Sequence, residues 1–199
     1  MEYIICAAAG YLFGCINMAY IIGRLRGFDI RERGSNNAGA SNTLLTMGKP
    51  FAVIVALNDI LKAFFAALLC RTLFPQIECA GIIAACGAIF GHIYPFWMRF
   101  KGGKGLASLM GMILAADWKL FLIFTAVLVI VTVITDYIAL GAITVSVLYP
   151  IYLFFIAGSA VMAAVALFST AAMLSCHIVN IRRIMSGQEV GLRAALSGK

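Results

Sequence analysis

The sequence predicts an all-α integral membrane protein: a seven-transmembrane-helix bundle, N-terminus outside and C-terminus cytoplasmic. Three observations lead there. Hydrophobic residues fill 63% of the 199 positions and charged residues only 12%, against roughly 25% charged in a soluble domain. The apolar residues form runs close to the ~20 positions a helix needs to cross hydrocarbon. The basic residues gather in short loops between those runs, which is the pattern that orients membrane helices. With no fixed-period repeat and no low-complexity linker, residues 1–199 read as one polytopic domain.

The first run, 3–23, follows a single charge, Glu2, and no basic segment. It is therefore expected to be a retained span rather than a cleaved signal. The second and third runs cover 50–71 and 77–98, and the last covers 159–179. Between them, residues 105–157 carry only Asp117, Lys119 and Asp136 as charges. Their division sets the topology. Two tilted helices would put loop 24–49 and tail 180–199 on opposite faces. Three helices, over 105–116, 118–135 and 137–156, put them on the same face.

Charge favours three. Loop 24–49 holds Arg24, Arg26, Arg31, Arg33 and Lys49; the next loop holds Arg99, Lys101 and Lys104; the tail holds Arg182, Arg183, Arg193 and Lys199. These are twelve of the 15 Lys and Arg residues, with Lys62, Arg71 and Lys119 elsewhere. The three-helix division places all twelve in the cytoplasm. The net charge of +7 thus reads as sidedness, and no nucleic-acid-binding signature accompanies it. Cys6, Cys15, Cys70, Cys79, Cys86 and Cys176 form no CxxC pair and read as buried free thiols. His92 and His177 have no cysteine at ligand spacing, so no metal site is expected.

Two polar, glycine-rich segments interrupt this apolar chain. The first is Gly34-Ser35-Asn36-Asn37-Ala38-Gly39-Ala40-Ser41-Asn42, closed by Gly48-Lys49. Its glycines permit a backbone concavity of N–H groups that holds an anion. The same residues also make ordinary turns and helix caps. The second, Lys101-Gly102-Gly103-Lys104-Gly105, runs straight into an apolar helix. A helix N-terminus favours phosphate, and Lys104 adds a full charge there. The spacing is not that of a P-loop, and a basic loop serving only sidedness is the alternative.

Other polar residues stand out on the spans. His92 follows Gly91 near the end of the third run, ahead of the interfacial Tyr94, Pro95, Phe96 and Trp97. His177 and Asn180 are spaced to share one helical face. Asn58, Asp59 and Lys62 fall within the second run, and ionisable groups inside a span are costly. Asp59 and Lys62, three apart, are read as a structural pair holding that helix to the bundle.

Taken in order, three motifs resemble those of the bacterial acyl-phosphate:glycerol-3-phosphate acyltransferase family, commonly called PlsY. The first loop is similar to the family's GSGNIGATN…GK segment. The second, from Gly91-His92 through Pro95 to Lys101-Gly102-Gly103-Lys104-Gly105 and Ala107, resembles GHxFPxxxxFKGGKGxA. The third, His177 with Asn180-Ile181-Arg182-Arg183, Gly187 and Glu189, resembles HxxNIxRLxxGxE.

The resemblance spans nearly the whole chain. It implies transfer of a fatty acyl group from acyl phosphate to the 1-hydroxyl of glycerol 3-phosphate, giving lysophosphatidic acid for phospholipid synthesis. It implies catalytic roles for Ser35, Lys104, His177 and Asn180. It implies substrate binding by Gly34, Asn37, Gly39, Asn42, His92, Lys101, Gly102 and Gly103. No cofactor is implied. The expected partners are acyl phosphate, glycerol 3-phosphate, membrane lipid and an upstream enzyme that forms acyl phosphate. The expected place is the bacterial inner membrane, multi-pass, with the site facing the cytoplasm.

Acyl phosphate is an anhydride with a good leaving group, so positioning and charge neutralisation can supply most of the acceleration. The sequence departs from the family pattern at Asn36, Ala38, Ser41 and Leu45, where glycine, a branched residue, threonine and arginine are usual. Asp136, Ala139 and Ala142 replace what are often arginine and serines. Two rival readings stay open: a small transporter of an anionic solute, since broken helices and glycine loops also bind ions in transporters, and a catalytically weak paralogue acting as a membrane scaffold, since Leu45 and Ala142 depart from the pattern.

Overall fold

A computed structural model describes residues 1–197. Lys199, counted above with the basic tail, lies outside the described residues. The described chain is all-helical and forms two compact units, Met1–Ala115 and the segment from Ala116 onward.

Among the described residues, six helical segments are long and apolar enough to cross a membrane: Glu2–Leu25, Lys49–Leu73, Ala80–Met98, Trp118–Thr135, Ile138–Phe155 and Ala160–Met185. The expected fourth span is a helix of only 11 residues, Leu106–Ala116. It rises about 16 Å, half of the ~30 Å hydrocarbon core. Gly105, with φ +92, marks where it begins.

The first unit contains α1 (Glu2–Gly14), α2 (Met18–Leu25), α3 (Ala40–Met47), α4 (Lys49–Leu73), α5 (Ala80–Ile93) and nearly all of α6 (Leu106–Ala116). The first span is not the continuous helix that its apolar run suggests. It breaks at 15–17, where Asn17 is extended and its side chain caps α2 by accepting the Tyr20 N–H. The third span also ends early, because the residue before a proline is pushed out of the helical region. α5 stops at Ile93, ahead of Tyr94 and Pro95, and a 3-10 turn, Phe96–Met98, follows.

α1 and α5 meet through glycine and alanine. A Cβ on Gly10 or Gly14 would fall on the backbone of Ala84 or Ala88, and one on Gly87 or Gly91 on that of Ala7 or Tyr11. Small residues of this kind let membrane helices approach to backbone contact. Cys6, Ala63, Ala66, Cys70, Ala80, Ala84 and Ala88 form the buried cluster that joins both helices to α4. Four of the cysteines, Cys6, Cys15, Cys70 and Cys86, are buried, while Cys79 and Cys176 are half-buried.

The second unit contains α7 (Trp118–Thr135), α8 (Ile138–Phe155), α9 (Ala160–Met185) and α10 (Leu192–Ser197). Asp117 caps α7 by accepting the N–H groups of Lys119 and Leu120. Thr170 Oγ1 donates to the Ser146 carbonyl at 2.7 Å and ties α9 to α8. Phe124 of α7 packs edge-on to Tyr149 of α8, with ring centres 5.7 Å apart.

The α1 and α5 contact makes a direct test. Gly14→Ala forces a methyl onto the Ala88 backbone and should cost about 1–3 kcal/mol. The readout is a lower midpoint of thermal unfolding in detergent; an unchanged midpoint would show that the two helices separate without penalty.

Candidate active site

The 34–42 loop is built around one side chain. Asn42 lies at the start of α3 and is fully buried. Its amide nitrogen lies within hydrogen-bond distance of the carbonyls of Ile30, Arg33 and Asn37 at 2.9 to 3.0 Å. Its oxygen accepts the Ser35 N–H at 2.7 Å. A short amide with both donors and an acceptor is what this loop interior can use. Asn42, expected among the substrate-binding side chains, is therefore spent on the loop itself.

Gly34 has φ +58, and a Cβ there would strike Asn42 Oδ1. Asn36 sits in the left-handed region at φ +61. Asparagine adopts that region more readily than other non-glycine residues, which accounts for its standing where glycine is usual. Ser35 and Asn37 are half-buried on this loop. Gly39 precedes α3, and its carbonyl accepts from both the N–H and the hydroxyl of Thr43.

The 101–105 segment is held against the end of α5. Gly102 N–H donates to the Ile93 carbonyl at 2.9 Å, and Gly103 N–H donates to the His92 carbonyl at 3.0 Å. Arg99 and Phe100 precede it, both in the left-handed region at φ +57. Such non-glycine residues cost of order 1–3 kcal/mol each, so the surrounding bonds must hold them in place. Lys101 is exposed and Lys104 half-buried.

The two glycine segments meet. Ala38 N–H points to the Gly102 carbonyl at 3.4 Å. The Ala38 carbonyl accepts from Asn17 Nδ2 at 2.9 Å. Arg31 makes a second bridge. It grips Asp29 through two nitrogens at 3.0 and 2.7 Å, while its Nη1 donates to the Met98 and Lys101 carbonyls. Its guanidinium also lies over the Tyr20 ring. The side-chain hydrogen bond from Arg31 is the main cause that holds the Asp29 carboxyl below its ordinary 3.8.

His92, expected to touch substrate, lies behind the loop. It is 3% exposed, and its Nδ1 lies 2.9 Å from Lys62 Nζ. Lys62 in turn meets Asp59 Oδ1 at 2.7 Å. The expected pair of Asp59 and Lys62 is thus present, and His92 extends it.

The second unit carries the third motif. His177 and Asn180 are each 3% exposed on α9, while Ile178 and Val179 between them are about half exposed. The shared face inferred from their spacing is there. His177 Nδ1 lies 2.8 Å from the Met173 carbonyl. A carbonyl only accepts, so Nδ1 carries a proton. Asn180 Nδ2 donates to Glu189 Oε1 at 2.5 Å, which fixes the amide's direction. Asp136 holds the tail: it accepts the Arg193 N–H at 3.0 Å, and its own carbonyl accepts the Leu192 N–H. Ala139 and Ala142 are buried, and Leu45 is exposed on α3.

Sequence reasoning offers no site role for Asn17, Asp29 or Arg31. Asn17 carried the one legible signal, a lone amide in the middle of an apolar run.

The first unit thus joins its two glycine segments at Ala38 and Gly102, and the second carries His177 and Asn180 on one face of α9. The profile of the glycerol-3-phosphate acyltransferase family matches residues 4–187, and the chain belongs to that family. It is 37% identical to glycerol-3-phosphate acyltransferase 1 of Oceanobacillus iheyensis, over 100% of this chain and 99% of that one. It is also 37% identical to the glycerol-3-phosphate acyltransferase of Clostridioides difficile, over 94% of each. Among solved structures it is similar to PlsY (YgiH), an integral membrane glycerol 3-phosphate acyltransferase. The glycerol 3-phosphate form superposes with a TM-score of 0.88 at 30% identity, over 96% of both chains. The lysophosphatidic acid form gives 0.86 at 30% identity, over 98% and 99%.

Two outcomes test this geometry. Asn42→Asp keeps the shape but turns donors into an acceptor facing three carbonyls; each unsatisfied group costs about 1–3 kcal/mol. Its expected effect is a lower unfolding midpoint together with loss of acyl transfer; a normal rate would show that the loop does not depend on Asn42. Asp29 gives a pH signature. Its folded value is lowered from 3.8, so its stabilisation is complete above about 3.9 and is lost as pH falls through the lower folded value. Asp29→Asn should therefore lower the midpoint at pH 7, and the difference from the parent should shrink below about pH 4. A constant difference down to pH 2 would exclude the charge as the cause.

Proposed function

We propose that this chain transfers a fatty acyl group from acyl phosphate to the 1-hydroxyl of glycerol 3-phosphate, forming lysophosphatidic acid and releasing inorganic phosphate. The joining of the two glycine segments at Ala38 and Gly102 carries this reading. It brings amide groups, Lys104 and Lys101 together in one unit, and both substrates are phosphates. The solved PlsY forms with glycerol 3-phosphate and with lysophosphatidic acid support acceptor and product.

Each part has a role. Lys104 and the N-terminus of α6 neutralise phosphate. Ser35 and Asn37 offer hydrogen bonds from the first loop, alongside the backbone at Gly34 and Gly39. His177 and Asn180 orient the acceptor. The hydroxyl oxygen attacks the acyl carbonyl carbon, the bond from that carbon to the phosphate oxygen breaks, and phosphate leaves with the electron pair. The hydroxyl proton passes to His177 Nε2 or to a phosphate oxygen.

The same reading counts α6 as a crossing, giving seven, with the N-terminus outside and the tail inside. Charge placement supports it, because Arg182 and Arg183 of the tail then fall on the same face as the basic residues of loops 24–49 and 99–104. Asp117, Trp118 and Lys119 suit the opposite interface. In the inner membrane of a bacterium the site faces the cytoplasm, where an acyl-phosphate-forming enzyme supplies the donor.

The assay is purified protein with radiolabelled glycerol 3-phosphate and, in parallel, acyl phosphate or acyl-CoA. Product is expected with acyl phosphate alone. Lys104→Ala and His177→Ala should each lower kcat/KM by about a hundredfold or more. Near-normal turnover by both variants would remove these roles, and product from acyl-CoA alone would replace the donor.

A further inference from the structure

Asp59 and Lys62 are 2% and 5% exposed in the middle of the first unit. A pair that only neutralised itself would be complete at the 2.7 Å contact between Lys62 Nζ and Asp59 Oδ1. Lys62 does more. Its ammonium also donates to the Ile16 carbonyl at 2.9 Å and lies 2.9 Å from His92 Nδ1. An ammonium has three donors and no lone pair. Its three contacts lie on α4, on the break in the first span and on the end of α5, where His92 Nδ1 also lies 3.3 Å from Asp59 Oδ1 and so meets both members of the pair.

Both targets lead to the glycine segments. His92 Nε2 occupies the place that a Cβ on Gly103 would take. The ring thus backs the loop directly, while the His92 carbonyl accepts the Gly103 N–H. On the other side, Ile16 precedes Asn17, whose side chain holds the Ala38 carbonyl at 2.9 Å. Ala38 N–H in turn reaches the Gly102 carbonyl. The contacts close a ring: Lys62, His92, Gly103, Gly102, Ala38, Asn17, Ile16 and back to Lys62.

We infer that Lys62 is a positioning residue for acyl transfer, setting through His92 and the first-span break the register of the Gly102-Gly103 backbone against Ala38. The inference deepens the acyltransferase reading of the same site. It assigns Lys62 no contact with substrate. It also gives His92 a supporting place rather than a binding one.

The test variant is Asp59→Leu/Lys62→Met. Replacing a buried ion pair with apolar residues of similar volume is often neutral for stability, whereas removing one partner strands a buried charge. Initial rates are measured against each phosphate substrate in turn, and hydrogen exchange is followed over residues 99–107. The expected result is a rise of about fivefold or more in KM for at least one phosphate substrate. Faster exchange at the Gly102 and Gly103 amides should accompany it. A purely structural pair would instead lower the folded fraction and the apparent kcat, leaving both KM values and the exchange of the folded molecules unchanged. That result overturns the inference.

Exchange on the parent protein supplies a second measurement that needs neither the variant nor turnover. Gly102 and Gly103 amides that exchange as fast as exposed chain would show that the loop is not held, and would equally overturn it. Absence of product from the parent with either donor would count against the acyltransferase reading and leave the exchange result standing.

Discussion

An apolar environment leaves no backbone carbonyl unpaired without cost, and the first span breaks inside its own apolar run. Two carbonyls are released there. That of Cys15 is taken by Trp97 Nε1 at 2.8 Å, and that of Ile16 by Lys62. Neither donor comes from the broken helix. The requirement that every backbone group be satisfied therefore draws α4 and the 94–98 segment onto one point. Asn17, which makes the break by capping α2, turns its other side to Ala38. The need to heal one break thus fixes the position of the loops beside it.

The loops themselves follow a common rule: buried polar side chains support the backbone. Asn42 is buried so that Ser35 and Asn37 are held in place, and His92 is buried behind Gly103. This arrangement suits the reaction proposed above, whose donor brings its own leaving group. It also accounts for the tolerance of Asn36 in place of glycine, since the left-handed conformation matters there more than the absence of a side chain. Asp136 has a comparable explanation: it anchors Leu192 and Arg193 at the start of α10. Nothing in the structure accounts for Leu45 in place of arginine.

Membrane class, the apolar runs and the positions of the glycine loops were legible because hydrophobicity and glycine content are local properties. The shared face of His177 and Asn180 followed from helical spacing alone, and so did the pair of Asp59 and Lys62. The break at 15–17 was masked by an apolar run whose length fitted one helix. Only Asn17 hinted otherwise, and a single amide does not reveal which carbonyl it will meet. The short fourth helix was visible in outline, but its 11 residues left the count of crossings to charge placement.

The sequence by itself determined the kind of solvent this chain needs, the family to which it belongs and the residue types offered to phosphate. Those follow from composition and from motifs whose members are close in the chain. Tertiary structure alone decided which polar residues face inward. Asn42 serves its loop, His92 stands behind Gly103, and Lys62 joins α4, α5 and the break in the first span through one ammonium. Hydrogen-bond partners separated by 30 to 46 positions leave no periodic trace in sequence; they exist only once the helices have packed.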